Sequence, residues 1–72
     1  MNLYHITHTE RGWELRKQGA TRPSKTASSR EALLRLTADF LRDRPARVRL
    51  YHADGSLEEE RHFPPEANEN GH

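Results

Sequence analysis

The sequence predicts an α+β domain in which two β-hairpins and one amphipathic helix follow each other in the order ββαββ. Three observations predict this fold. Short segments near both ends of the chain alternate apolar with polar residues, which is typical of strands. Between them lies a segment whose apolar residues have helical spacing, and Asp54-Gly55 marks a hairpin turn near the end of the chain. We expect the two antiparallel hairpins to form one sheet packed on the single helix, in one domain at residues 1–63.

The first hairpin is predicted within residues 3–18. Tyr4 and Ile6 alternate with polar neighbours, which is the pattern of a half-buried strand. After a short turn, Trp13 and Leu15 repeat the alternation. If Ile6 lies opposite Leu15, all apolar side chains of the hairpin share one face of the sheet.

A single helix is predicted from about Ser29 to Arg44. Ser28 and Glu31 have the spacing of a capping box at its start. Pro45 disfavours helical geometry at the preceding residue and therefore ends the helix. The apolar residues of this segment fall on one stripe that would face the sheet: Ala32, Leu33, Leu36, Phe40 and Leu41.

The second hairpin is predicted around Asp54-Gly55, which we expect to form a type I′ turn. With these two residues in the turn, Arg49 lies opposite Glu60, and the two charges can pair on the open face of the sheet. The same register directs Glu59 and Arg61 to the inner face of the sheet, which packs on the helix and is otherwise apolar. A bulge, or a position at the edge of the sheet, would relieve that conflict.

The composition also predicts the cellular compartment of the protein. The chain has no cysteine, so it forms no disulfide, and this favours a reducing compartment such as the cytoplasm. No apolar run is long enough to span a membrane, and no apolar leader follows the first methionine. Residues 64–72 are polar and rich in helix-breaking residues, which predicts a disordered tail.

The sequence argues against catalysis by this chain. It lacks a cysteine nucleophile, a phosphate-binding glycine loop and a histidine pair at helical metal-ligand spacing. A core of about a dozen apolar residues is also too small to enclose a substrate cavity. We therefore predict no enzyme activity, no cofactor and no metal, and any site is expected on the surface.

The charges are distributed unevenly along the chain. Residues 11–49 contain eleven of the twelve basic residues but only four of the eleven acidic ones, although the formal net charge is +1. Such asymmetry is typical of a surface that binds anions. It is also explained by basic and acidic segments that pair with each other in the fold.

Two groups of residues are candidates for contact with an anionic partner. Residues 19–29 are predicted to be a loop because Pro23 would interrupt a central strand. Arg22 and Lys25 in this loop, with Ser28 at the helix N-terminus, would offer positive charge and free backbone N–H groups. The second group lies on the open sheet face, and it consists of Arg47, Arg49 and Tyr51.

The pattern as a whole resembles the prokaryotic domain of unknown function 2188 family over roughly residues 3–63. The resemblance implies a ββαββ fold and no assigned activity. It depends on the order and spacing of five short motifs: Tyr4-His5-Ile6, Gly12-Trp13-x-Leu15, Gly19-Ala20-x-Arg22-x-Ser24, Ala32-Leu33 in the helix, and Asp54-Gly55.

The sequence thus leads to two functional hypotheses. The first is a non-enzymatic binding module that contacts an anionic partner, either nucleic acid or an acidic protein, through the loop at residues 20–30 and the open sheet face. The second is a protein–protein interaction or self-association module that uses an edge strand. The expected state is a monomer or a weak homodimer.

Overall fold

The computed structural model describes residues 2–64, and this part of the chain forms one helix and one five-stranded sheet. The elements are β1 (Asn2–Thr9), β2 (Gly12–Lys17), β3 (Lys25–Ala27), α1 (Arg30–Phe40), β4 (Ala46–Tyr51) and β5 (Leu57–Phe63). The predicted α+β class is confirmed. Apart from Pro64, the tail predicted at residues 64–72 lies outside the described residues.

The predicted ββαββ arrangement is wrong in one element. Lys25–Ala27, in the segment predicted to be a loop, forms the third strand and pairs antiparallel with β2. Three residues are too few to show an alternation in the sequence, and Pro23 lies just outside the strand, where it interrupts no ladder. The true order is therefore βββαββ.

The sheet is also mixed rather than built from antiparallel hairpins alone. Its strand order is β3-β2-β1-β4-β5, and the two central strands, β1 and β4, are parallel. The connection from β3 to β4 passes through α1, which crosses one face of the sheet. A crossover of this kind is what parallel strands require. The two predicted hairpins thus meet through their first strands.

The first hairpin has the predicted register. Ile6 lies opposite Leu15, and His8 lies opposite Trp13. The side chains of Ile6 and Leu15 are fully buried, and the rings of His8 and Trp13 pack with centroids 4.9 Å apart.

The second hairpin reaches the predicted strand register through a different turn. The N–H of Gly55 donates to the carbonyl of His52, Gly55 has φ of 95°, and no non-glycine residue in residues 2–64 has a positive φ. A type I′ turn needs a positive φ at Asp54 as well, so that prediction is wrong. The loop is one residue longer than predicted, with Gly55 as its last residue.

A β-bulge then restores the register. Tyr51 pairs with Leu57 while Leu50 pairs with Glu59, so Glu58 is the additional residue. The bulge that the charge conflict predicted is therefore present, and β5 is at the sheet edge. Glu58 contacts Arg30 at the start of α1, with 2.6 Å between Oε1 and Nη2.

The helix is shorter than predicted at both ends. Ser29 is the N-cap, and its hydroxyl accepts from the N–H of Ala32 at 3.1 Å, so Ser28 is not the cap. Leu41 is the C-cap. The next residues form tighter turns because Arg44 must leave helical geometry before Pro45.

The capping assignment leads to a test of stability. Ser29→Ala removes an acceptor from the helix N-terminus, and we expect it to lower the free energy of unfolding by about 1 kcal/mol. Ser28→Ala is the matched control, because Ser28 is exposed and the cap does not use it. Urea unfolding of both variants measures the difference. Equal losses would contradict Ser29 as the cap.

The core lies between α1 and one face of the sheet. Its fully or almost fully buried side chains are Tyr4, Ile6, Leu15, Leu33, Leu41, Ala46, Val48, Leu50 and Phe63. Trp13 and Phe40 are only partly buried, and they pack against this core.

Two large apolar side chains are exposed: Leu36, which the sequence placed on the stripe facing the sheet, by 40%, and Leu57 by 55%. The buried helix stripe includes Leu33 and Thr37, and Leu36 is rotated about 100° from Thr37, so it lies on the flank of the helix. Leu57 lies at the bulged start of the edge strand, where less of the structure covers it.

Candidate binding surface on the open sheet face

Helix α1 covers one face of the sheet, and polar residues of four strands occupy the other, which we call the open face. Cross-strand pairing places these residues side by side, since His5 of β1 lies opposite both Arg16 of β2 and Arg49 of β4. The open face comprises His5, Thr7, Glu14, Arg16, Arg47, Arg49, Tyr51, Glu60 and His62.

Two arginines of β4 share one carboxylate on β5. The Nε of Arg49 donates to Glu60 at 3.0 Å, and Nη1 of Arg47 lies 3.4 Å from the other carboxylate oxygen. The predicted cross-strand pair of Arg49 and Glu60 is therefore confirmed. The hydrogen bond from Arg49 is the main cause that lowers the pKa of the Glu60 carboxyl below its ordinary value. Because two guanidinium groups share one carboxylate, the trio keeps a net positive charge.

An aromatic pair adjoins these arginines. The rings of His5 and Tyr51 have centroids 5.7 Å apart, and the imidazole Nδ1 lies 2.9 Å from the Tyr51 hydroxyl. On its other side, the imidazole Nε2 contacts the amide oxygen of Gln18. An amide oxygen only accepts, so Nε2 donates to it and Nδ1 accepts from the tyrosine hydroxyl. This chain of contacts orients both rings.

Arg16 completes the basic part of the open face, and the predicted site did not include it. Its guanidinium contacts Glu14 at 2.8 Å and donates to the carbonyl of Thr21 at 2.5 Å. The bond to Thr21 holds the start of the loop that precedes β3 against β2. The predicted register of the first hairpin was a signal that Arg16 lies opposite His5, but only the strand order shows that Arg49 of β4 lies on the other side of His5.

The structure does not bring the predicted loop residues together. The Nζ of Lys25 lies 5.5 Å from the centroid of Phe40, the last residue of α1, whereas Ser28 precedes the first turn. These positions are separated by the length of an 11-residue helix, about 16 Å. Arg22 is exposed in the loop next to Thr21. A site that combines Lys25 with the helix N-terminus is therefore not formed.

A shallow surface cleft lies beside the β1–β2 turn. Its volume is about 380 Å³, and Ser28 is the one predicted site residue that lines it. The other lining residues are Thr9, Arg11, Trp13, Glu14, Pro23, Thr26 and Ala27.

Internal pairing accounts for part of the charge asymmetry. Half of the basic residues contact a carboxylate within residues 2–64: Arg16, Arg30, Arg42, Arg47, Arg49 and Arg61. Three of these contacts join β5 to the preceding part of the chain, through Glu58 and Glu60. The acidic strand thus neutralises some, but not all, of the basic charge.

Between residues 2 and 64, no three histidine, aspartate or glutamate side chains come together to form a metal site. No helix in that range is long and apolar enough to cross a membrane.

These features define a small α+β domain in which a single helix covers one face of a mixed five-stranded sheet. The chain belongs to the family described as an uncharacterized protein conserved in bacteria, DUF2188, whose family model matches residues 4–63. The resemblance seen in the sequence is therefore confirmed. No curated protein and no solved structure matched the chain in the corresponding comparisons.

Proposed function

We propose that this domain is a non-enzymatic binding module whose open face contacts an anionic partner, either a nucleic acid or an acidic protein. One observation carries the proposal. Three arginines and an oriented aromatic pair lie side by side on the sheet face that α1 does not cover. Basic groups beside aromatic rings on a sheet are suited to phosphates and stacked bases, or to carboxylates.

Charge on this surface supports the proposal. Arg47 and Arg49 share Glu60, and their side chains are 57% and 41% exposed, so both can reach a further anion. Arg16 contacts Glu14 with one side-chain nitrogen while another donates to a carbonyl. A partner that brings its own anionic groups would compete with exposed ion pairs, which contribute little free energy.

The surface differs from the one expected from the sequence. Arg47, Arg49 and Tyr51 remain in the proposed site, and Arg16 and His5 join them. Lys25 leaves it because its ammonium group lies at the other end of α1 from Ser28. The proposed compartment is the cytoplasm, since a chain without cysteine has no need of an oxidising environment.

Titration of isotope-labelled protein tests this function. The first ligand is a single-stranded oligonucleotide of about ten nucleotides, and the second is a polyglutamate peptide. We expect backbone amide shifts in β1, β2 and β4 with one of them, and binding that weakens as salt increases. Absence of such shifts with both ligands would refute the proposal.

Two variants with the same loss of charge sharpen the test. Arg49→Gln removes an open-face contact, so it should weaken binding and lower the salt slope by about one. Arg42→Gln is the control, because Arg42 pairs with Asp39 on α1 and does not belong to the open face. Equal effects of both variants would indicate attraction by net charge alone, which would contradict a site on the open face.

The second hypothesis, association through an edge strand, has support in a different part of the molecule. Strand β3 has only three residues, but β5 has seven and lies at the opposite edge of the sheet. Any association of this kind is therefore expected to use β5.

A further inference from the structure

Strand β5 has one edge that no strand within residues 2–64 occupies. Along one edge β5 pairs with β4, whereas its other edge is the end of the sheet. The backbone groups along such an edge are available for pairing with another strand. Because β5 is rich in charged side chains, a strand that pairs with it must have charges that complement them.

A second copy of this chain is a candidate partner, because its own β5 has both acidic and basic residues that can complement those of the first copy. If two copies of β5 pair antiparallel in one continuous sheet, the two-fold axis is perpendicular to the sheet. Each residue then faces a residue from the same side of the sheet, since cross-strand neighbours share a face. The pairing must therefore be centred on a residue and not between two residues.

Only one centre matches the charges of β5. Centring on Glu60 places Glu59 opposite Arg61 of the second copy, and this pair occurs twice by symmetry. Centring on Glu59 would instead set Glu60 against Glu58. Centring on Arg61 would oppose two arginines and place Glu59 against Phe63.

The structure also reduces the electrostatic repulsion at the centre of this pairing. Glu60 would face its own copy, and two like charges in that position normally repel. Here each Glu60 carboxylate is already held by Arg47 and Arg49 of its own chain. The central pair of acids is thus flanked by four guanidinium groups.

We propose that two copies of this chain associate through their β5 strands, antiparallel and centred on Glu60, so that Glu59 and Arg61 pair across the two-fold axis. Within one chain these two side chains already contact each other at 2.5 Å on the inner face. Their side chains remain 40% and 45% exposed, so they can exchange partners without loss of core packing. The resulting sheet has ten strands.

Charge reversal with rescue tests this proposal. We expect the wild-type chain to sediment as a monomer–dimer equilibrium that depends on concentration. Arg61→Glu and Glu59→Arg each place like charges opposite each other twice, so each should weaken the dimer roughly tenfold or more. The double variant, Glu59→Arg with Arg61→Glu, restores both pairs with the same net charge as wild type and should recover the dimer.

Mixing the two single variants gives a second readout. One strand then has arginine at both positions and the other has glutamate, so an equimolar mixture should form a heterodimer that neither variant forms alone. Circular dichroism establishes that each variant is folded. Arg42→Glu is the control, since it reverses one charge away from β5 and should leave the dimer unchanged.

The outcomes separate clearly. A wild-type chain that stays monomeric at millimolar concentration would overturn the proposal. Dimers that form equally well in both single variants would overturn it too, as would a double variant that fails to recover. No anionic ligand is added in these measurements, so they test the dimer separately from anion binding at the open face.

Discussion

Replacement of Leu50 by alanine is expected to unfold most of the protein at ordinary temperatures. The Leu50 side chain is fully buried, and it lies on β4 between Ile6 of β1 and Glu59 of β5. Loss of a buried leucine typically lowers the free energy of unfolding by about 2–5 kcal/mol, through lost transfer energy and the cavity that remains. A domain of this size has a total stability of roughly the same magnitude.

Leu57→Ala is the matched control for that experiment. It removes the same atoms from the same sheet, but its side chain is 55% exposed at the bulged start of β5. We expect a loss below about 1 kcal/mol, as is usual for surface substitutions. Thermal unfolding followed by circular dichroism measures both. Similar losses for the two leucines would contradict the core described above.

Gly12→Ala is also expected to destabilise the protein strongly. Gly12 has φ of 123°, and a Cβ atom there would lie 2.6 Å from the carbonyl oxygen of Ala27. The positive φ would strain the backbone of an alanine, and the Cβ atom would clash with β3. Together these two effects should lower the free energy of unfolding by about 2–4 kcal/mol. Because the clash is with backbone, it is relieved only if β3 moves away from β2.

Gly19→Ala separates the two contributions. Gly19 also has a positive φ, of 84°, but nothing lies within 4 Å of the position that its Cβ would take. Strain alone should then cost about 1 kcal/mol. Urea unfolding compares the two variants, and amide hydrogen exchange in β3 reports local opening. If Gly19→Ala costs as much as Gly12→Ala, the close approach to Ala27 has no energetic role.

The bulge in β5 shows how far local sequence reasoning reaches. Glu59 and Arg61 fitted the inner face poorly, and this conflict predicted an irregular edge strand. The structure has both the edge position and the bulge at Glu58. The turn type was nevertheless wrong, because a type I′ turn and a longer loop followed by a bulge give the same register at Arg49 and Glu60. The backbone of the folded chain distinguishes them, because Tyr51 pairs with Leu57 and Gly55 alone in the turn has a positive φ.

The candidate site was predictable only in part, because alternation shows which residues of one strand share a face but not which strands are neighbours. Alternation placed Arg47, Arg49 and Tyr51 on one face, and β4 presents all three there. Nothing local showed that His5 and Arg16 would stand beside them, since that follows from the parallel pairing of β1 with β4. Lys25 and Ser28 are close in sequence, but the ammonium group of Lys25 and the helix N-terminus lie at opposite ends of α1. Strand β3 carries Lys25 toward the C-terminal end of α1.

The sequence by itself determined the α+β class, the two hairpins with their strand registers and the existence of one helix. Those features depend on alternation, turn residues and spacing over a few positions, which are local properties of the chain. The tertiary structure alone decided the third strand, the mixed strand order and the composition of the open face. These depend on which strands pair across the helix crossover, and that pairing gathers Leu33 of α1 and the adjacent Leu41 into one core with side chains of β1, β2, β4 and β5.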